Sequence, residues 1–504
     1  MTFSNPWHSP LVKTDQHRQS APHWESTCQI ILKASVTLFL VLAAAGCAVG
    51  PDYREPTPAP VSFSGTQRPA VFSAASPVGT WWSRFDDPVL AALVEEALSS
   101  NLDLRIAIAR LRESRAALTE QRLNQFPHVT AGGSYDRRDQ QQDIASGRTL
   151  TETYTVGFDA LWELDVFGGQ RRATERAGAI AQATEANLQD VQVTVAAEVA
   201  RNYFELRGVQ KRIDIAHTTL TNLQDTQRMT QTRWELGAGS ELDVQSSMAR
   251  MKAIEAQIPL LEVAEAQYQY RLAVLLGQRP GALAERLVPR PSVAFARPLP
   301  LGDTSNLLRH RPDVRAAERR LAAATAQVGV ATTDLYPRIS LSGFIGFLSG
   351  DSRTLFQSAG QAWAVTPSIR WAAFDLGSVR ARLHASEARA EGTLAEYEST
   401  VLSALEDTQN ALNAYAMQQS RIKIVEEQAI AARRAETLAQ TRFKEGSEDY
   451  LTLLDAQRTR LTADDSLAQT EAQVNMNAVA VYKALGGNHE GMQHQISNDQ
   501  TVVK

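Results

Sequence analysis

The apolar side chains of this chain recur at two intervals, one typical of helices and one typical of strands. Between Gly169 and Gly237, and again over 380–445, no proline occurs and apolar residues follow heptad spacing. In the first run these residues are Leu206, Val209, Ile213, Ala216, Leu220 and Leu223. At 1.5 Å per residue each run would extend to about 100 Å, so the pattern predicts two coiled-coil rods.

Shorter helical patterns flank the rods, over 87–126, 241–276 and 449–485. Each rod is separated from the helix that follows it by glycine, in Gly237-Ala-Gly239 and at Gly446. Glycine commonly ends helices because it adopts left-handed backbone conformations. We therefore predict that each rod turns back at these glycines, which makes the two hairpin tips.

Strand-like alternation occurs in two further regions, over about 127–166 and 337–375. Each begins at a proline, Pro127 or Pro337, which disfavours helix in the residue before it and is tolerated at the start of a strand. Alternating segments of about ten residues with aromatic ends are typical of transmembrane β-barrels. A soluble hairpin packed against helices would give the same alternation. The two regions are therefore predicted as β-hairpins that contribute four strands per chain.

The second half of the chain repeats the first at a spacing of 210 residues. Asp103 falls on Asp313 and Pro127 on Pro337, and with one residue dropped Arg233 falls on Arg442. A constant offset over so long a stretch indicates a tandem repeat. The predicted units are 81–278 and 303–487, joined by a proline-rich linker over 279–302 and followed by a polar tail over 488–504.

Four strands are too few for a closed barrel, because the smallest known barrels have about eight. An open sheet edge in lipid would leave peptide groups unpaired, at several kcal/mol each. One chain therefore cannot close a barrel alone. Two, three or four copies would all satisfy this requirement, and the strand count does not choose among them.

The amino terminus has the features of an export signal. Lys33 precedes an apolar stretch over 34–45, which leads into Ala44-Ala-Gly-Cys47. Small residues before Gly-Cys resemble a bacterial lipobox, which implies removal of 1–46 and acylation of Cys47. Ala48 in place of aspartate then implies sorting to the cell outer membrane, and 47–80 becomes an extended tether. The alternative is an ordinary cleaved signal with a buried cysteine nearby.

Composition excludes several other classes of protein. The formal net charge of −5 over 504 residues gives no basic surface for nucleic acid. Both cysteines, Cys28 and Cys47, lie in the first tenth of the chain, so no cysteine site is available downstream. The histidines beyond the signal and before the polar tail are scattered without metal-ligand spacing, and no phosphate loop or nucleophile motif occurs. We expect neither an enzyme nor a bound cofactor.

Four short motifs resemble one known family, the outer membrane efflux lipoproteins of the TolC, OprM and NodT type. They are Leu161-Trp-Glu-Leu-Asp-Val-Phe-Gly168, Phe374-Asp-Leu-Gly377, Tyr450-Leu-Thr-Leu-Leu-Asp-Ala-Gln-Arg458 and Val481-Tyr-Lys-Ala-Leu-Gly-Gly487. The resemblance implies an α+β membrane protein in which a homotrimer closes one transmembrane β-barrel, continued by a long coiled-coil α-helical barrel. It also implies an exit duct for small molecules in a tripartite, RND-type efflux system. The partners would be a periplasmic adaptor, an inner-membrane pump and outer membrane lipid.

Two aspartates follow the glycine breaks and are candidates for a periplasmic gate. Asp243 and Asp455 would each form a ring of carboxylates in a trimer, and Arg458 lies one turn from Asp455. The resemblance adds that Leu451, Asp455 and Arg458 match the positions that close the periplasmic end in this family. Each aspartate also has a simpler interpretation. Asp243 follows Ser240 by three residues, as in a capping box, and Asp455 could form an i,i+3 pair with Arg458 on a solvated helix face.

Three other functions share some of these features. A duct for type I protein secretion would have the same architecture. A periplasmic adaptor would also be exported and helical, but its helical hairpin would occur once. A structural lipoprotein that spans the periplasm would not conduct ions.

Overall fold

The structure is a computed structural model, and it describes residues 48–56, 71–73, 75, 79–143, 147–291, 293–301 and 311–487. The predicted signal, Cys47 and the polar tail lie outside the described residues.

The first half of the chain contains five helices and the hairpin of the first repeat. Its helices are α1 (Pro88–Ser100), α2 (Leu102–Leu123), α3 (Gly169–Glu235), α4 (Glu241–Glu255) and α5 (Ile258–Leu275). Its strands are β1 (Phe72–Ser73), β2 (His128–Asp143) and β3 (Gly147–Leu164). A short 3-10 helix covers Trp81–Phe85.

The second half repeats this order from α2 onward. Its elements are β4 (Leu299–Pro300), α6 (Pro312–Thr333), β5 (Arg338–Ser349), β6 (Gln361–Arg370), α7 (Leu376–Lys444) and α8 (Tyr450–Ala484). A 3-10 turn at Ser358–Gly360 precedes β6. The two predicted rods are present as α3, with 67 residues, and α7, with 69. They are far longer than an average helix of about 12 residues.

Two predicted helices are each broken in two. The prediction over 87–126 missed a break at Asn101, whose side-chain oxygen accepts hydrogen bonds from Asp103 N (2.8 Å) and Leu104 N (3.1 Å) and so starts α2. The prediction over 241–276 missed a break after Glu255. Pro259 lies in the first turn of α5, where the N–H that proline lacks has no partner within the helix.

The four long strands form one antiparallel sheet in the order β2-β3-β5-β6. Its register places apolar residues of neighbouring strands opposite each other, as in the pairs Phe158–Ile345 and Ile345–Trp363. Serine, threonine and acidic residues occupy most of the other face, as in the pairs Glu163–Ser340 and Ser340–Ser368. The apolar face includes Val129, Ala131, Tyr135, Tyr154, Val156, Phe158, Ala160, Trp162, Ile339, Leu341, Ile345, Phe347, Trp363, Val365 and Ile369.

The ends of the predicted tether and linker are packed against the helices. Val71 O and Ser73 O accept hydrogen bonds from Leu299 N and Leu301 N, at 2.9 Å each, so β1 and β4 pair in parallel. The nearby core contains Trp81, whose ring stacks on Tyr482 with centroids 5.2 Å apart. These segments therefore share one core with residues near the middle of the rods, such as Leu206 and Tyr415.

The helices pack in the same arrangement in both repeats. In the first repeat α2 packs on α3, and in the second α6 packs on α7. The repeats meet where α6 and α8 both pack on α3. Within the described residues, no helix combines the length and the apolar character needed to cross a membrane.

Candidate gate and anchor sites

The first hairpin tip lies between α3 and α4. Gly237 has a φ of +73°, a left-handed conformation that favours glycine. Ser240 Oγ then accepts a hydrogen bond from Asp243 N (3.1 Å), and Asp243 Oδ2 accepts one from Ser240 N (3.2 Å). This reciprocal pair confirms the capping box expected at Asp243.

The second tip lies between α7 and α8 and is capped by a different residue. Gly446 has a φ of +76°, and Asp449 Oδ1 accepts a hydrogen bond from Thr452 N at 2.8 Å. This bond lowers the pKa of Asp449 because it stabilises the ionised carboxylate. The sequence pattern did not single out Asp449, although aspartate just before a helix is a common cap.

The two tips contact each other through residues that the sequence did not reveal. Arg233 Nη1 donates a hydrogen bond to Phe443 O at 3.2 Å, and its guanidinium lies 4.6 Å from the centre of the Phe443 ring. Burial, together with the charge of Asp243, raises the pKa of Tyr450 to about 12. A cavity of about 430 Å³ lies between the tips and is lined by Arg233, Asp243 and Tyr450 among others. The end of one hairpin is therefore docked on the other.

Three of the predicted gate residues share one face of α8. Leu451 is 63% exposed, and Arg458 Nη2 lies 3.2 Å from Asp455 Oδ1. Both side chains of this pair are 69% exposed, so the pair contributes at most about 1 kcal/mol to stability. Asp243 lies on α4, where it lines the cavity between the tips together with Tyr450. The structure thus brings Leu451, Asp455 and Arg458 onto one face of α8 and places Asp243 on the other hairpin.

Further polar contacts join α8 to α3 along the rods. Gln457 Nε2 donates to Thr226 Oγ1 at 3.0 Å, Arg212 Nε lies 2.6 Å from Asp465 Oδ1, and Lys211 pairs with Glu471. Charge-assisted hydrogen bonds of this kind are stronger than neutral ones. Helix α8, which carries three of the predicted gate residues, is therefore held by contacts both at the tip and further along the rod.

The predicted lipidation site, Cys47, lies just outside the described residues, but the residues after it have defined places. Val49 N donates to Phe167 O at 3.1 Å, at the end of the first hairpin. Gly168 has a φ of +84°, and a Cβ added there would lie 2.6 Å from Ala48 Cα. The chain after Cys47 therefore runs against the joint between β3 and α3.

Arg172 holds this segment in place. Its side chain is 6% exposed, and its Nη2 and Nη1 lie 2.6 Å from Asp52 Oδ1 and 2.8 Å from Glu175 Oε2. It also donates to Val49 O at 3.3 Å and Gly50 O at 3.4 Å. Further along, the Tyr53 hydroxyl bonds to Glu318 on α6. The segment is thus fixed to both repeats.

No group of three or more histidine, cysteine, aspartate or glutamate side chains that could hold a metal occurs among the described residues.

The sequence was also compared with protein families and curated proteins. A family model described as outer membrane efflux protein matches twice, over 93–278 and 304–487. The Nodulation protein T of Rhizobium leguminosarum bv. trifolii is 30% identical and covers 86% of this chain and 92% of its own length. The toluene efflux pump outer membrane protein TtgC of Pseudomonas putida is 32% identical, and the match covers 91% of this chain and 95% of TtgC.

The fold was compared with solved structures. The outer-membrane channel OprN superposes with a TM-score of 0.85 at 46% identity and covers 88% of this chain and 99% of its own. The open state of the MtrE outer membrane channel of Neisseria gonorrhoeae superposes with a TM-score of 0.73 at 28% identity. The match covers 87% of this chain and 98% of MtrE.

Proposed function

The chain belongs to the outer membrane efflux protein family and is the outer-membrane channel of an efflux system, and we propose that it conducts only as a homotrimer. The observation that carries this proposal is the incomplete sheet. Among the described strands, β2 and β6 each pair on one side only, and the apolar face spans all four strands. Unpaired peptide groups in lipid cost several kcal/mol each, so both edges need strands from other copies.

The two edges differ, which determines how copies join. Edge β2 belongs to the first repeat and edge β6 to the second, so β6 of one copy meets β2 of the next. Such head-to-tail contacts close into a ring when the rotation between copies permits it. The family resemblance supports three as the number of copies. The rods of the trimer then continue the barrel as a helical tunnel into the periplasm.

We propose that Cys47 is acylated and anchors each copy in the outer membrane. Support comes from Ala48, the residue after Cys47 in the sequence, which lies against Gly168 at the joint between β3 and α3. Acyl chains attached there would enter the membrane where the barrel begins. Several acyl chains together give stable anchoring, whereas a single chain is marginal.

We propose that the α8 face of Leu451, Asp455 and Arg458 forms the periplasmic gate. In a trimer three such faces would approach one another at the end of the tunnel. Carboxylates brought together repel each other unless cations compensate, and Arg458 is placed to do so. Asp243 already has two hydrogen bonds in its capping box. Its role in the gate is therefore to position the tip.

The remaining partners follow from the family. We propose that a periplasmic adaptor and an inner-membrane pump dock at the tips and deliver cargo. Named relatives export toluene, antibiotics and pyoverdine, so one channel architecture serves chemically different molecules. This range supports small-molecule cargo that is selected by the pump rather than by the channel.

Conductance across a planar bilayer tests the channel. The purified protein should insert and give discrete steps that are small at rest, because the gate is closed. The variant Asp455→Ala should give larger steps. Absence of conductance from correctly folded, membrane-inserted protein would overturn the proposed function.

A further inference from the structure

The packing of α6 has no counterpart on α2 within one chain. Helices α2 and α6 begin at Leu102 and Pro312 and end at Leu123 and Thr333, so each residue of α2 corresponds to the residue 210 later. Helix α6 packs on α7 of its own repeat and also on α3 of the first repeat. Helix α2 packs mainly on α3 of its own repeat. The second partner of α2 is missing.

Exposure identifies the uncovered face of α2. Ala316 on α6 is 1% exposed, whereas its counterpart Ile106 on α2 is 50% exposed. Arg105 and Arg110 are exposed on the same helix. The uncovered face of α2 therefore carries an apolar residue between two cations.

The matching uncovered face lies on α7. Buried residues of α7 correspond to buried residues of α3 209 positions earlier, as Tyr397 does to Leu188 and Leu412 to Tyr203. At that offset the buried alanines of α3 that receive α6 correspond to exposed small residues on α7. The buried set is Ala179, Ala183 and Ala186, and the exposed set is Ala388, Gly392 and Ala395.

Two of the three arginine contacts at the α3–α6 junction predict which residues meet. The third, from Arg319 to Gln182, has Ala109 in place of its arginine on α2 and does not recur. Arg315 Nη1 donates to Gln189 Oε1 at 3.1 Å, and Arg320 Nη2 donates to Asn187 Oδ1 at 2.8 Å. The counterparts of the two arginines are Arg105 and Arg110. The counterparts of the two acceptors are Glu398 and Glu396, which are exposed. Both arginines recur, and both neutral acceptors are replaced by carboxylates.

Resting on the proposed homotrimer, we infer that α7 of one copy receives α2 of a second copy, with Arg105 paired to Glu398 and Arg110 paired to Glu396 of the partner. None of these four side chains has an ion-pair partner among the residues that the structure describes. Two α2 faces would bring arginine against arginine, and two α7 faces would bring glutamate against glutamate. The charges therefore oppose two-fold pairing and favour the head-to-tail contact that closes a ring.

There is a physical reason why α7 carries carboxylates where α3 carries neutral acceptors. The chain itself holds α6 beside α3, so neutral acceptors suffice there. Separate copies must find each other, and charges of opposite sign steer encounter and exclude wrong partners. The two carboxylates are therefore interpreted as specificity determinants for assembly.

Charge reversal with rescue tests the inference. Arg110→Glu and Glu396→Arg should each lower the fraction of trimer in mild detergent, and the double variant should restore it. An exposed pair changes a contact about twofold to fivefold, and three contacts per ring compound this to about tenfold to a hundredfold. Lys252→Glu, at an exposed pair on α4, serves as the control and should leave the trimer unchanged.

A cross-link gives a second readout that does not depend on stability. Ala179 packs with Ala323, whose counterparts are Ala388 and Glu113. Because the only native cysteines are Cys28 and Cys47, Glu113→Cys with Ala388→Cys should give disulfides between copies. Glu113→Cys with Leu402→Cys, about 21 Å further along α7, should not.

The possible results distinguish failure of the proposed contact between α2 and α7 from failure of the proposed channel. A conducting trimer that both charge reversals leave unchanged would overturn the proposed contact between α2 and α7 but not the proposed channel. A conducting trimer that forms no disulfide between residues 113 and 388 would do the same. A protein that neither trimerises nor conducts would overturn the proposed function itself.

Discussion

Asn101 and Arg311 make the same contact in the two halves of the chain. Asn101 Nδ2 donates to the carbonyl of Leu275, the last residue of α5, at 2.8 Å, and Arg311 Nη1 donates to the carbonyl of Ala484, the last residue of α8, at 3.1 Å. Both donors lie just before a helix, α2 or α6. Carbonyls at helix ends lack partners within the helix. These two bonds supply a partner and join the end of α5 to the start of α2 in the first repeat, and the end of α8 to the start of α6 in the second.

Asn101 is expected to stabilise the protein in two ways, through its two capping bonds to α2 and through its bond to Leu275 O. Asn101→Ser keeps a capping oxygen but removes the bond to Leu275 O, whereas Asn101→Ala removes the cap and that bond. We expect Asn101→Ala to lower the free energy of unfolding by about 1 to 2 kcal/mol and Asn101→Ser by less. Thermal unfolding in detergent measures the difference. Equal midpoints for both variants and the wild type would contradict this role.

Asp190 should make stability depend on pH. Burial, and then the charge of Asp313, raises the pKa of Asp190, while Lys483 and Arg311 act in the opposite direction. A carboxyl group whose pKa is raised in the folded state stabilises the fold most when the pH is below its ordinary pKa of 3.8. This stabilisation is lost as the pH rises through the pKa of the folded state.

Asp190→Asn should therefore raise the thermal midpoint at pH 7, with a gain that shrinks as the pH falls to about 4. Asp214→Asn, at an exposed position on the same helix, serves as the control and should give no gain. If the gain in thermal midpoint from Asp190→Asn grew on acidification, the raised pKa of Asp190 would be contradicted.

The gate proposal depends on Asp455 being more than a surface ion pair. Asp455→Ala should increase single-channel conductance and sensitivity to large antibiotics, because Arg458 loses the carboxylate that it pairs with in the closed constriction. Asp225→Ala is a matched control, since Asp225 pairs with Arg228 at the same spacing on an exposed face of α3. If both variants conduct like the wild type while the trimer is intact, Asp455 is not part of the gate.

Arg172 should hold the anchored end of the chain. Arg172→Ala removes charge-assisted bonds to Asp52 and Glu175 and should lower the free energy of unfolding by about 2 kcal/mol. Arg382→Ala is the control, because Arg382 lies at an exposed site near the start of α7, where it bonds to Ser378. The intact mass of the mature protein tests the anchor itself. An unmodified terminus at Cys47, or any other terminus, would contradict acylation.

The sequence predicted those features that depend on a regular period. The heptad seam placed Leu206, Val209, Ala216 and Leu223 correctly, and all four are buried in the rods. Heptad spacing is visible because one helix face must be apolar along its whole length.

Features that depend on a single contact were missed. Asn101 breaks a helix with one side chain, and an isolated polar residue between apolar ones does not interrupt the helical period. Phe295 and Leu283 pack the linker onto the core, but single apolar residues in an irregular segment have no period. Arg233 meets Phe443 across the two repeats. Such a contact depends on the tertiary arrangement of the rods, and their local sequences do not encode it.

The central claim is that the four strands of one chain close a barrel with two other copies. The repeat offsets place Ser368 on β6 opposite Ser134 on β2 of the neighbouring copy, as Asp159 lies opposite Phe344 within the chain. The most direct measurement is the size of the disulfide-linked species formed by Ser134→Cys with Ser368→Cys in outer membranes. We predict species of two and three linked chains and none larger, because the ring closes at three. Disulfides within a single chain, or a ladder that continues beyond three, would contradict it.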